Sequence, residues 1–412
     1  MSVQTQIQKL PATSSPTFIQ RIGLFAFRKY IERWQEGGIQ ITLPDGTCQE
    51  WPEQPLLSRS IMHVHDWRFF NQLLWDEDIG LGHAHTLGYW SSPHLDRLLL
   101  DFCKNLRAGE DNQSPWKTWG KWSQLLWHKA RKNTLRGSAK NISAHYDLGN
   151  SFYAQFLDKE MVYSSAFYKH SNESLEQAQA NKIELILGKL KLQPGQKLLE
   201  IGSGWGALAI TAAKKYACQV TTVTLSKEQF TWAQRRIKEE NLELMVEIKL
   251  QDYRTLEGQF DRIVSVEMME ALGHEFLPVF YMHCNKLLKD DGLMAVQVIT
   301  MPDDRYNAYR KSCDWIQRYI FPGAVCPSLE VLGKAQKESS NLSLIHSENI
   351  ASHYAKTLNS WYERFEKNWE GIEPLGFDLS FRRLWRYYLR YCEAGFASNY
   401  LGTYQLLYTK NS

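Results

Sequence analysis

The residues best suited to chemistry lie in Glu200-Ile-Gly202-Ser-Gly204-Trp-Gly206, between an apolar run and an alanine-rich run. Glycines at such a junction let the backbone turn tightly and approach a ligand. The spacing is GxGxG, where dinucleotide-binding loops have GxGxxG, and an acid stands two residues before the first glycine. Together these fit a loop that cradles S-adenosylmethionine (SAM), whose sulfonium is cationic and which carries no pyrophosphate for the acid to repel. A purely structural turn is the competing reading. Such loops are commonly followed by a strand ending in an acid that holds the ribose. Here that strand ends Thr224-Leu225-Ser226, so Thr224 and Gln229 have to supply the hydrogen bonds, with Asp252 and Tyr253 flanking the adenine.

The elements around this loop alternate. Strands are predicted over 197–202, 219–225, 245–252, 260–268 and 293–301, with helices between them, and further strands over 341–350 and 403–410 at the sheet edge. Strands separated by helices predict a doubly wound, mostly parallel α/β sheet. The first hundred residues read as a smaller α/β unit. It has a helix over Phe18–Trp34, a hairpin turning at Asp45-Gly46, a strand from Ile61, a helix through 65–75, and a helix started by Ser92-Pro93.

The length of 412 residues calls for more than one domain. Boundaries are expected at 1–115, 116–140 and 141–412. Hydrophobic residues at 43% and charged residues at 23% exclude wholesale disorder. No apolar run approaches the roughly 20 residues of a membrane-spanning helix, and the N-terminus lacks the pattern of a secretory signal. A net charge of +3 is too mild to argue for nucleic acid. The seven cysteines form no CxxC pair, so neither a metal site nor a disulfide framework is expected, and a cytoplasmic location is. Between Trp116 and Lys140, seven basic residues and four tryptophans occur without an acid. That suits a solvated linker helix or an interfacial segment on anionic lipid; single-stranded nucleic acid ranks below both.

Several motifs in order make the chain resemble the cyclopropane-fatty-acyl-phospholipid synthases and mycolic acid methyltransferases. They are Asn141-Ile-Ser-Ala-His145-Tyr-Asp-Leu-Gly149-Asn150, Met161-Val-Tyr163-Ser164-Ser165, the glycine loop, Gln251-Asp-Tyr-Arg254, and Tyr319-Ile-Phe-Pro322-Gly323. The resemblance covers about residues 141–410. It implies a Rossmann-like, seven-stranded SAM-methyltransferase sheet and methylene transfer to a cis double bond of membrane phospholipid acyl chains, with bound bicarbonate as base. It also implies peripheral attachment to the inner membrane face, an N-terminal domain that faces lipid or forms a homodimer, and no nucleic-acid partner. Carried over by position, the bicarbonate cage falls on Ser165, Glu270, Gln297, Ile299 through its backbone, Tyr354 and, nearby, Cys392. The SAM site falls on Tyr163, Ser164, Gly202, Gly204, Thr224, Gln229, Asp252 and Tyr253.

The residue types suit that chemistry. An alkene is a poor nucleophile, so positioning must align it with the methyl group, and a carbocation needs a dry pocket with π faces. Tyr354 and Gln297 can donate to an anion, Glu270 can accept, and the Ser165 hydroxyl can do both. Many relatives have Cys at Ser165 and His at Gln297, which leaves a methyl- or methylene-branched product as the alternative to a ring. A small-molecule N- or O-methyltransferase is a more distant reading. Glu270 could instead cap the following helix, and Glu267 competes with it for the same role.

Overall fold

The computed structural model describes residues 15–52, 59–106 and 148–411. The basic tryptophan-rich joint and the His145-Tyr146-Asp147 turn lie outside the described residues. Contacts divide the chain into two units. One comprises the residues up to Gly120 with Phe377–Ala394, and the other Lys121–Gly376 with Gly395–Ser412. The units are therefore not sequential blocks, because a late helix is shared between them.

In the first unit, α1 (Phe18–Ile31) starts at a Thr17–Gln20 capping box. Strands β1 (Ile39–Thr42) and β2 (Cys48–Trp51) form the expected hairpin, with Ile39 opposite Trp51. Strand β3 (Ser60–Val64) lies parallel to β1, and β4 (Trp90–Ser91) closes the order β2-β1-β3-β4. Helix α2 (Arg68–Thr86) runs well past the expected end, because Ile79, Leu81 and Ala84 are buried and extend its apolar face. Helix α3 (Leu95–Lys104) begins later than Ser92-Pro93 suggests: the Ser92 hydroxyl accepts the His94 N–H, 3.2 Å away, in a turn ahead of the helix.

The second unit holds the seven-stranded sheet. Strands β5 (Lys197–Ile201), β6 (Gln219–Thr224), β7 (Val246–Leu250), β8 (Phe260–Val266), β9 (Leu288–Thr300), β10 (Leu342–Asn349) and β11 (Gly402–Lys410) take the order β10-β11-β9-β8-β5-β6-β7. The pairings from β7 to β9 are all parallel, and β11 runs antiparallel to both β9 and β10. Only β10 is the edge strand expected late in the chain. β11 lies inside the sheet, which suits its run of buried residues from Gln405 to Tyr408.

Helices α4 (Leu175–Lys189), α5 (Ala207–Tyr216), α6 (Lys227–Glu239), α7 (Leu277–Leu287) and α8 (Leu329–Ser339) belong to this unit, followed by α9 (Ala351–Lys367). The two-residue period of a strand splits its apolar side chains between two cores. Leu199, Ile263 and Val296 enter one, while their chain neighbours Leu198, Val264 and Ala295 enter the other. Burial on both faces explains why these strands read as continuous apolar runs. Helix α10 (Leu379–Ala397) supplies its residues up to Ala394 to the first unit. There the rings of Tyr387 and His85 lie 5.4 Å apart.

Candidate active site

Ligands of open α/β sheets bind beyond the carboxyl ends of the strands, where the order reverses. Here that place lies between β5 and β8, and the expected residues lie on the loops there. After β5, Gly202, Gly204 and Gly206 have φ of +98°, +48° and +93°, a region that side chains avoid. A Cβ on Gly204 would meet nothing within 4 Å, leaving backbone open to a ligand, whereas one on Gly206 would press on Ala233 of α6 at 3.1 Å.

The acid before the loop is engaged within the sheet. Glu200 stands opposite Thr222 in the β5–β6 register and accepts its hydroxyl at 2.6 Å. Burial pushes Glu200 up to about 8, so it is neutral at pH 7 and ties two strands together.

Thr224 ends β6, accepts the Ser226 N–H and donates its hydroxyl to Gln229 Oε1 at 2.8 Å. Ser226 caps α6 through the Gln229 N–H. The Gln229 amide nitrogen is thereby left to donate to a ligand. Asp252 is less open than expected, because its carboxylate accepts the Arg254 backbone N–H and pairs with the guanidinium at 2.6 Å. Tyr253 is packed near Phe280 at 5.7 Å between ring centres, and its buried hydroxyl has no partner among the described residues.

The segment around Tyr163 is laced to α9. Ala166 donates its N–H to Thr357 Oγ1, and Tyr168 donates to His353 Nδ1. The Tyr163 ring sits among Tyr153, Phe156, Phe321 and Trp361, at 5.2–6.5 Å between centres. The Ser164 hydroxyl accepts from Lys182 Nζ at 2.7 Å. Lys182 is fully enclosed, and burial lowers its ammonium to about 8 against the pull of Glu267, Asp158 and Glu200.

The six expected catalytic positions divide. Ser165, Gln297 and Tyr354 converge, but on Glu267, the competing acid of the sequence reading. Oε1 of Glu267 accepts the Ser165 backbone N–H at 2.9 Å and Gln297 Nε2 at 2.7 Å, and Oε2 accepts the Tyr354 hydroxyl at 2.7 Å. The Ser165 hydroxyl does not join them; it donates to the Ala166 carbonyl. Glu270 takes the Ile299 N–H on Oε1, and its buried Oε2 has no partner among the described residues. Glu270 sits in the middle of a short 3-10 turn, Met269–Ala271, which has no side-chain cap bond, so the helix-cap reading fails. Cys392 is half-buried on the part of α10 that belongs to the first unit.

Burial raises both acids. Glu270 reaches about 8, because it faces the Glu267 charge as well as desolvation. For Glu267, hydrogen bonds from Ser165, Gln297 and Tyr354 and the Lys182 charge oppose desolvation. Glu267 also sits at φ +49°. That conformation costs on the order of 1–3 kcal/mol for a non-glycine residue and persists only where the surroundings fix it.

What orients Gln297 was not legible in the sequence. Gln405 stands directly opposite it across the β11–β9 pair and donates Nε2 to Gln297 Oε1 at 3.0 Å. Gln405 Oε1 accepts in turn from Lys189 Nζ, which pairs with Glu348 at 2.6 Å. An ammonium has only protons to give, so it fixes the sense of both amides and aims Gln297 Nε2 at Glu267.

Residues 133–406 match the family described as mycolic acid cyclopropane synthetase. The chain is 38% identical to the tuberculostearic acid methyltransferase of Mycobacterium tuberculosis, over 79% of its own length and 78% of the relative's. It is 34% identical to the cyclopropane-fatty-acyl-phospholipid synthase of Escherichia coli K12, over 83% and 86%. Among solved structures, a cyclopropane synthase from M. tuberculosis superposes with a TM-score of 0.62 at 30% identity, covering 66% of this chain and 98% of that one. A mycolic acid cyclopropane synthase complexed with SAH and CTAB gives 0.61 at 30% identity, with the same coverage.

Proposed function

The chain belongs to the mycolic acid cyclopropane synthetase family and is a SAM-dependent C-methyltransferase, and from that premise we propose that it methylates the cis double bond of unsaturated acyl chains in membrane phospholipids and closes a cyclopropane ring. The observation that carries this reading is the enclosed carboxylate cluster beside the aromatic rings around Tyr163. An alkene that attacks a methyl group becomes a carbocation. That cation needs π faces, the absence of water, and a base within reach of the methyl proton. A small-molecule N- or O-methyltransferase needs no such cluster.

SAM supplies an electrophilic methyl group when bound. The glycine loop presents open backbone to it, Gln229 offers an amide donor, and the Tyr163 ring adds a π face beside the cation. Bicarbonate, the base implied by the family, does not fit the side chains of this chain. Two of the donors expected to hold it, Gln297 Nε2 and the Tyr354 hydroxyl, are already engaged by Glu267, and the third, the Ser165 hydroxyl, donates to the Ala166 carbonyl. A second anion would also lie against that carboxylate in a buried site.

No helix among the described residues is long and apolar enough to cross a membrane. Peripheral attachment at the cytoplasmic face is supported by an exposed apolar set in the first unit, Phe18, Ile22 and Phe25 on α1 and Trp75 on α2, with Arg21, Arg28 and Lys29 on α1 beside them. On this reading residues 1–115 face lipid or a second copy of the chain, 116–140 link, and 141–412 catalyse, with no nucleic-acid partner.

A methyl- or methylene-branched product is the second reading, favoured by the relative named for tuberculostearic acid. Expression in a bacterium lacking its own cyclopropane synthase, followed by mass spectrometry and NMR of its fatty acids, separates the two. Both products add one CH2, but only the ring gives cyclopropane protons. Absence of any added mass, with soluble protein and SAM present, would reject both.

A further inference from the structure

We propose that the Glu267 carboxylate is the general base of this enzyme, a protein-borne replacement for the bicarbonate that the family implies. This rests on the methyl transfer to an alkene proposed above. A carboxylate and a bicarbonate present the same planar O–C–O⁻ edge to donors. In this chain Ser165 N–H, Gln297 Nε2 and Tyr354 Oη surround such an edge, and it belongs to Glu267.

The count of lone pairs identifies the reacting atom. Each carboxylate oxygen accepts two hydrogen bonds. Among the described residues, Oε1 is filled by Ser165 and Gln297, while Oε2 accepts from Tyr354 alone and keeps one site open. Lys182 lies close enough to favour the ionised form. Glu270 is the weaker candidate, since beside the Glu267 charge it is held protonated at neutral pH.

The step balances without a co-reactant. The alkene π pair forms the bond to the SAM methyl carbon, and the S–CH3 pair leaves with sulfur as S-adenosylhomocysteine. Oε2 of Glu267 takes one proton from the new methyl group. The C–H pair then closes the ring onto the cationic carbon, and the proton later passes to solvent.

The backbone supplies a reciprocal test. Residue 267 lies at φ +49°, where glycine is unstrained. Glu267→Gly would remove the carboxylate, relax the chain and free all three donors for an added anion. Full-length wild type, Glu267→Gln and Glu267→Gly are assayed with SAM and unsaturated phospholipid vesicles in carbon-dioxide-stripped buffer, with and without bicarbonate. SAH release and acyl product are both followed, and binding of carbon-13 bicarbonate is titrated by NMR. Wild type should turn over equally in both buffers and bind no bicarbonate. Glu267→Gln should lose about 10²–10⁴-fold in rate with its fold intact. Glu267→Gly should bind bicarbonate and recover at least about tenfold when it is added. Bicarbonate binding or stimulation in wild type, or near-normal activity of Glu267→Gln, would overturn the assignment. Failure of wild type to methylate any unsaturated lipid would instead overturn the proposed function, and the binding titration still decides between the two anions.

Discussion

Replacing Gln405 by leucine tests whether the polar chain behind Gln297 serves the acid or merely fills the sheet. Gln405 is 1% exposed and touches nothing that reacts. Its loss removes the donor on Gln297 Oε1 and leaves that oxygen buried and unpaired, a cost of about 1–3 kcal/mol in stability. Lys189 keeps Glu348. The Gln297 amide, no longer fixed in sense, loses part of its hold on Glu267. A hydrogen bond to a charged group contributes about 1.5–3 kcal/mol. Loss of that donor weakens the ionised form of Glu267 relative to the protonated one. Burial already raises Glu267, and losing a donor to its charged form raises it further. The acidic limb of the rate profile therefore moves to higher pH, with the plateau above it less affected. Lys182 and Glu270 face the same carboxylate, so the same profile recorded on Glu270→Gln separates the Glu267 limb from that of its neighbour. The assay is turnover against pH on lipid vesicles, with Tm measured in parallel. A lower Tm with an unmoved acidic limb would refute the reasoning and reduce the chain to a structural one.

Three further outcomes follow from the geometry. Thr224→Val takes an acceptor from Ser226 and a donor from Gln229, so the KM for SAM should rise roughly tenfold by losing one to two hydrogen bonds, with kcat little changed. An unchanged SAM affinity by calorimetry would count against Thr224 as a cofactor residue. Glu270→Gln should raise Tm, and by more at pH 8 than at pH 5. Glu270 is neutral in the folded chain up to about 8 but ionised when unfolded above about 4.5, so wild-type stability falls across that window and the variant's does not. Equal Tm differences at both pH values would contradict the raised pKa. Serine at Phe18, Phe25 and Trp75 together should abolish flotation with anionic vesicles; retained flotation would place the lipid contact elsewhere.

The sheet was legible because burial on both faces leaves a plain record. Leu198-Leu199, Ile263-Val264 and Ala295-Val296 are apolar pairs whose members serve opposite cores, so the strands read as apolar runs between helices. The position of β11 was not legible, since pairing order depends on partners far away in the chain. Likewise α10 reads as one helix, and nothing local to it says that its residues up to Ala394 join the first unit. The glycine loop was legible from its spacing, but the role of Glu200 was not. An acid before the loop suggests a charge for the ligand until the β5–β6 register sets Thr222 opposite it and burial neutralises it.

The site shows how few of its buried charges can survive, and why a linear motif conceals which. Glu200, Glu270 and Lys182 are each fully enclosed, and each is driven toward its neutral form. Glu200 has one hydroxyl, Glu270 one backbone N–H, and Lys182 the Ser164 hydroxyl. Glu267 alone collects three donors, and they come from the segment before α4, from β9 and from α9, about a hundred residues away on one side and thirty to ninety on the other. In the stretch Glu267-Met-Met-Glu270 the two acids are equivalent letters; in space one has three donors and the other, among the described residues, has an oxygen without a partner. Environments that push two adjacent carboxyls apart are how an acid and a base are assigned within one pocket. The αL backbone at Glu267 points the same way, since strain at a non-glycine residue is retained where the side chain it places is held by function or by its neighbours. Three donors from distant segments thus meet on the Glu267 carboxylate, and that shell was visible only once the fold had brought them together.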